Sequence, residues 1–250
     1  VIETINLLER CAIFLDQMHQ AQAGIPTRLW PDYEALWRET ASYRPKEKIV
    51  TEDYDSHVRE YLDTVSRAVF DVDEMWINEI ASLIAESAAA GHLLLVAGNG
   101  GSHCTALHFA TDLEKCICDA LPIEKAYSTP RVHVLGENPG IWSAWSNDIG
   151  WTGALARQIE TWGRPGSLLL LLSASGESSN LIHAASAAKK RGLRVMALIG
   201  QVGSSLERWA DLALVVGTED VQAAEDVHSV VCHALFREVL RRVKETCGVE

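Results

Sequence analysis

The chain has 250 residues, 48% of them hydrophobic and 22% charged, and a formal net charge of -12. That length suits one large α/β domain, or one domain with an appendage. The acidic balance argues against non-specific binding of DNA or RNA, which needs a basic surface, and no apolar run reaches the roughly 18–20 residues of a membrane helix. The opening, VIETINLLERC, lacks the basic-then-apolar pattern of a secretory signal. Six cysteines are scattered without framework spacing and read as reduced, intracellular thiols, so the expected compartment is the cytoplasm.

In chain order, residues 1–23 read as an amphipathic helix, broken by Gly24, Pro26 and Pro31, with a short helix over Tyr33–Thr40. Nothing in this region carries chemistry. It reads as a packing or oligomerisation arm, or as a lid on a substrate site. Helical spacing of Val58, Tyr61, Leu62, Val65 and Val69 predicts a helix over 54–70. A second covers 71–90 and is closed by Gly91.

Leu93–Val96 reads as a buried strand. It runs into a glycine-rich turn, Gly98-Asn99-Gly100-Gly101-Ser102, and then into a helix carrying His108 and Asp112. Strand, glycine turn and helix aim backbone N–H groups and a positive helix end at an anion. The glycines do not follow G-x-G-x-x-G, so no dinucleotide is implied. Residues 119–130 read as a loop and Arg131–Leu135 as a strand. The segment 141–151 carries Trp142, Trp145, Asn147, Asp148 and Trp151, and a helix is predicted over 152–161.

Ser167–Leu172 contains five consecutive leucines, too few to cross a membrane and too apolar for an edge, so a central parallel strand is predicted. The turn Ser173-Ala174-Ser175-Gly176-Glu177-Ser178-Ser179 follows, then a helix over 180–191. Converging hydroxyls and amides at a helix start suit a phosphate, although a helix cap with surplus serines would look the same. No lysine stands as in a Walker loop, which argues against a nucleoside triphosphate. Strands over 195–199 and 212–216 and a helix over 223–245 complete the pattern. Alternating strands and helices give a parallel sheet, with ligands at the carboxyl ends of its strands.

His108 and Asp112 share one face of their helix. Glu225 and His233 are eight residues apart, about 80° around theirs. Two acid–histidine pairs on separate helices suit a four-ligand divalent site, or equally an acid/base set.

The segments GNGGSHC at 98–104, HFATDL at 108–113, NDIGW at 147–151, SASGESSN at 173–180 and EDVHSVVCH at 225–233 resemble the sugar isomerase (SIS) domain family, in its phosphoheptose isomerase branch. The resemblance covers about 53–250 and leaves 1–52 as an N-terminal helical extension. It implies a three-layer αβα domain with a five-stranded parallel sheet, assembled as a homotetramer with active sites at subunit interfaces. It implies an aldose–ketose isomerase of a phosphorylated sugar, with sedoheptulose 7-phosphate as the substrate. Asn99, Gly100, Gly101, Ser102, Asn147, Asp148 and Glu225 would touch that sugar. Ser173, Ala174, Ser175 and Ser178 would hold its phosphate. His108, Asp112, Glu225 and His233 would hold zinc, and Asp112 and His233 would act as acid and base. Asp112 stands where the family has Glu, and Glu225 where it has Gln. The resemblance also admits a non-catalytic phosphosugar-binding or replication-initiator-associated protein, or an isomerase of another phosphosugar.

Overall fold

The structure, a computed structural model, describes residues 56–249. The expected N-terminal extension, with its helices over 1–23 and Tyr33–Thr40, lies outside them. Two helices lead, α1 (His57–Phe70) and α2 (Glu74–Ala89), and β1 (Leu93–Gly98) follows. The chain continues as α3 (Gly100–Thr111), a π-helical segment at Asp112–Cys116, and a single turn, α4 (Ile117–Ala120). The expected loop over 119–130 is partly helical, because Pro122, at φ -54°, starts a 3-10 turn over Ile123–Ser128. Then come β2 (Arg131–Val134), α5 (Pro139–Ile149), α6 (Trp151–Trp162), β3 (Leu168–Ser173), α7 (Ser179–Lys190), β4 (Arg194–Ile199), α8 (Ser205–Trp209), β5 (Leu212–Val215) and α9 (Val221–Cys247).

The five strands pair in parallel in the order β2-β1-β3-β4-β5. The leucine run is the middle of the sheet, and side chains alternate across it. Leu168, Leu170 and Leu172 join Ile80, Phe109, Val227 and Val231 in one core. Leu169 and Leu171 join Leu155, Ile159, Leu181 and Ala184 in the other. Helices α1, α2, α3 and α9 therefore cover one face and α5 to α8 the other, in three layers. A strand apolar on both sides is stable only at such a position, which is why five leucines in a row are tolerated.

The strand order reverses direction at β1 and β3, and a crevice forms there beyond their carboxyl ends. The glycine turn closes β1 and the serine turn closes β3, so the topology sets the two turns side by side. Tyr61 ties α1 to α9 by donating its hydroxyl to Asp226 at 2.7 Å; that bond, with burial and the carboxylate's charge, pushes the phenol pKa up to about 12.

Candidate active site

The glycine turn is built for close approach. Asn99 caps α3 in extended conformation, and Gly100 takes φ +52°, which L side chains avoid. A Cβ on Gly101 would lie 2.4 Å from Oε2 of Glu225. Glycine at this position lets the Glu225 carboxylate lie against the backbone, where Ser102 donates to it at 3.4 Å. Asn99 and Asn180 form a reciprocal amide pair across the crevice.

The serine turn is ordered by its own side chains. Ser173 Oγ accepts from Gly176 N–H at 3.0 Å, and Ser175 Oγ accepts from Glu177 N–H at 3.2 Å. Each hydroxyl acts as an acceptor in these bonds, and Ser173 is itself buried under the turn. Ser178 makes no side-chain cap bond at the start of α7, so its hydroxyl is available to an anion. The Ala174 carbonyl accepts from Gln201 N–H at 3.1 Å. Gly176, at φ +66°, packs where a Cβ would meet Ser204 Oγ at 2.2 Å. Glu177 is a negative charge beside the turn, but its carboxylate is engaged by Ser205, whose hydroxyl and N–H, the latter donating at 2.6 Å, hold its pKa below the usual carboxylate range. The acid is engaged with α8.

On the α3–α9 side, His108, Asp112 and His233 converge. The Nε2 atoms of His108 and His233 stand 3.8 and 3.7 Å from Asp112 Oδ2. Their rings meet edge-on at 4.9 Å, and ligand atoms of all three residues lie within 4.8 Å of one another. Asp112 opens the π-helical segment, a widening of the helix that recurs at functional sites and that nothing in the local sequence signals. Behind it Cys232 is buried, and burial together with the Asp112 charge pushes its thiol well up, so it stays protonated.

Donors held at about 2.0–2.2 Å by a tetrahedral zinc stand roughly 3.4 Å apart. The triad is slightly wider and of the right size and chemistry for one divalent ion. Glu225 is not among the residues that converge there: its carboxylate lies at Gly101, and His233 stands eight residues, about 12 Å of rise, further along α9. Asn147 and Asp148 also stand apart, exposed at the end of α5, with Asn147 Nδ2 donating to Asp148 Oδ1 at 3.0 Å.

On the opposite side of the glycine turn lies a cavity of about 310 Å³, bounded by Asn99, His103, Gly136, Pro139, Trp142 and Trp151. No spacing argument anticipated it. Its makers are Gly136, at φ +90°, and the buried Gln158, whose Oε1 accepts from Gly136 N–H at 3.0 Å.

Comparison with known proteins gives the family of the chain. The SIS domain matches residues 54–200. The chain is 34% identical over 190 residues to the phosphoheptose isomerase of Proteus mirabilis, an alignment that spans 74% of this chain and 94% of that one. This chain belongs to the SIS-domain family, in its phosphoheptose isomerase branch. The SIS fold matches the solved phosphoheptose isomerase of Neisseria gonorrhoeae with TM-score 0.65 at 25% identity, over 74% of this chain and 95% of that one. It matches the Francisella tularensis phosphoheptose isomerase structure in fold with TM-score 0.67 at 22% identity, over 75% and 96% of the two chains. In this chain the serine turn lies at the carboxyl end of the central strand, β3. Among the described residues, no helix is long and apolar enough to cross a membrane.

Proposed function

We propose that the chain is a phosphosugar aldose–ketose isomerase that interconverts sedoheptulose 7-phosphate and its heptose 7-phosphate aldose. The carrying observation is the convergence of His108, Asp112 and His233 within 4.8 Å of one another in a member of the phosphoheptose isomerase branch. Ser173, Ser175 and Ser178 hold the phosphate at the start of α7 by hydroxyl and backbone donors. Asn99 and the glycine amides align the sugar chain. The remote phosphate supplies binding energy that is spent on alignment at the reacting carbons.

Isomerisation needs one proton moved between adjacent carbons and another between their oxygens, through a cis-enediol. Asp112 and His233 share these transfers: a carboxylate takes a proton, and an imidazole can both take and give one. His108 stands beside the same Asp112 oxygen, its Nε2 3.8 Å from Oδ2. His108, Asp112 and His233 would hold zinc, which when bound supplies polarisation of the carbonyl and hydroxyl oxygens.

The two halves of this machinery are far apart in one chain. From Gly101 to Asp112 is eleven residues, about 16 Å of helix rise, more than a sugar anchored at the serine turn can bridge. We therefore read the site as composite, with the turns of one subunit facing the triad of a neighbour in a homotetramer. Large apolar side chains stand ready for assembly along α1 and beyond it, among them Val58, Leu62, Met75 and Phe70, which is 89% exposed. Asn147 and Asp148, exposed at the end of α5, fit a contribution across the same kind of boundary.

The test is a panel of phosphorylated ketoses and aldoses in deuterated water, followed by NMR. The expected result is isomer formation with deuterium at the carbon next to the carbonyl. Tight binding without exchange would instead identify a non-catalytic phosphosugar sensor.

A further inference from the structure

The cavity beside the glycine turn is not used by the phosphate anchor or by the triad. Its volume of about 310 Å³ lies at the lower end of the range of small-molecule sites. Two indoles form one wall: Trp142 and Trp151 meet edge to face, with centroids 4.7 Å apart at 86°. Trp151 is 50% exposed although it is among the largest apolar side chains in the protein. Gly136 shapes the wall by its backbone: it takes φ +90°, a conformation that L side chains rarely adopt, and its Cα side packs at ordinary contact distance toward Trp142 and His103. The loop bearing Gly136 is fixed by Gln158, only 5% exposed, through its bond to Gly136 N–H at 3.0 Å. A buried amide committed to one loop N–H makes this mouth a built feature. Asn99 and Gly100 are shared between the cavity and the crevice, so a ligand anchored at the serine turn borders it directly.

We propose that this cavity is the recognition pocket for the middle carbons of the sugar, those between its phosphate and its reacting end. The chain lays its C–H face on the indoles of Trp142 and Trp151, and one of its hydroxyls hydrogen-bonds the imidazole of His103. A sugar has apolar C–H faces and polar edges, and an aromatic wall with one polar group matches that pattern. Trp142, Trp151 and His103 are then specificity-determining residues: they reward chain length beyond the phosphate. The inference rests on the serine turn being the phosphate anchor.

Isothermal titration of the full chain with three probes tests it: inorganic phosphate, glycerol 3-phosphate and a heptitol 7-phosphate, which has no carbonyl to isomerise. The wild type should bind the heptitol phosphate at least about thirtyfold tighter than glycerol 3-phosphate. Trp151→Ala should weaken heptitol phosphate binding about tenfold, the size of one aromatic contact, and change inorganic phosphate by less than about twofold. Trp142→Leu should do the same, and Trp142→Phe, which keeps a ring, should recover most of the loss. The pocket is overturned, with the anchor intact, if chain length gives no gain in affinity or if the variants weaken all three probes alike. Failure of the wild type to bind any probe removes the anchor and the pocket together. Thermal melting of each variant shows that a weakened probe is read on folded protein.

Discussion

Asn99 and Asn180 exchange both of their amide hydrogen bonds, Asn99 Nδ2 to Asn180 Oδ1 at 3.0 Å and Asn180 Nδ2 to Asn99 Oδ1 at 2.8 Å. The pair locks the glycine turn to the first residues of α7, and Asn180 is fully buried. Removing the Asn99 amide leaves that of Asn180 unsatisfied where water does not reach, whereas Asn99 itself borders the open cavity. Asn99→Ala should lower unfolding free energy by about 1–3 kcal/mol, read from urea denaturation. A double-mutant cycle with Asn180→Ala should show coupling of at least about 0.5 kcal/mol. Additive losses would mean that the turns are held together by something else.

The triad and the composite site make a joint prediction. Asp112→Asn should lower kcat by about 10²–10⁴-fold, and His233→Ala should also weaken binding of a divalent metal measured by competition with a chelator. Glu225→Ala lies in the other half of the machinery. When Asp112→Asn and Glu225→Ala subunits are mixed equally and reassembled, one site in about four pairs an intact triad with an intact turn. Activity should return to that fraction of wild type, and its continued absence would place both halves in one chain.

Gly101 is glycine because Glu225 occupies the space of its side chain. Gly101→Ala should displace the Glu225 carboxylate, which can swing away, so the fold survives and turnover falls. In a Glu225→Ala background the same substitution should be nearly silent in stability and in residual turnover. A large loss in that background would show that the backbone, and not the carboxylate, demands glycine.

His228 gives a pH signature. It is 1% exposed, and among the described residues neither ring nitrogen makes a hydrogen bond of good geometry. Burial pushes its pKa down to about 4, the Ile199 carbonyl pulling weakly the other way. The unfolded chain takes up this proton near pH 6.5 and the folded chain only near 4, so in that window the unfolded state binds more protons. Stability should fall as pH drops from about 6.5 to 4, by on the order of 3 kcal/mol from this residue. Chemical denaturation across that range should show a shallower slope for His228→Gln than for wild type.

Much of this architecture is written locally. Five leucines in a row admit only a doubly covered strand, and the serine and glycine turns fall where a parallel sheet offers its ends. Helix α5 also has a readable start: Asn138 accepts from Gly140 N–H at 3.0 Å and from Ile141 N–H at 3.1 Å, with Pro139 at the first helical position, a start signal that the residues themselves display. What local pattern does not carry is relative height. The angle between Glu225 and His233 can be counted from sequence, but their separation along α9 decides which helix neighbour each one meets. The π-helical widening at Asp112 and the Gln158–Gly136 bond depend on packing between elements distant in sequence, and no periodicity points to them.

The two-turn gap between Glu225 and His233 bears on the life of a newly made chain. On the composite reading, a subunit that has folded but not yet met its neighbours already owns a phosphate anchor and lacks a facing proton shuttle. Before assembly it would sequester its ligand without altering it, and dilution of the assembled enzyme would turn a catalyst into a reservoir.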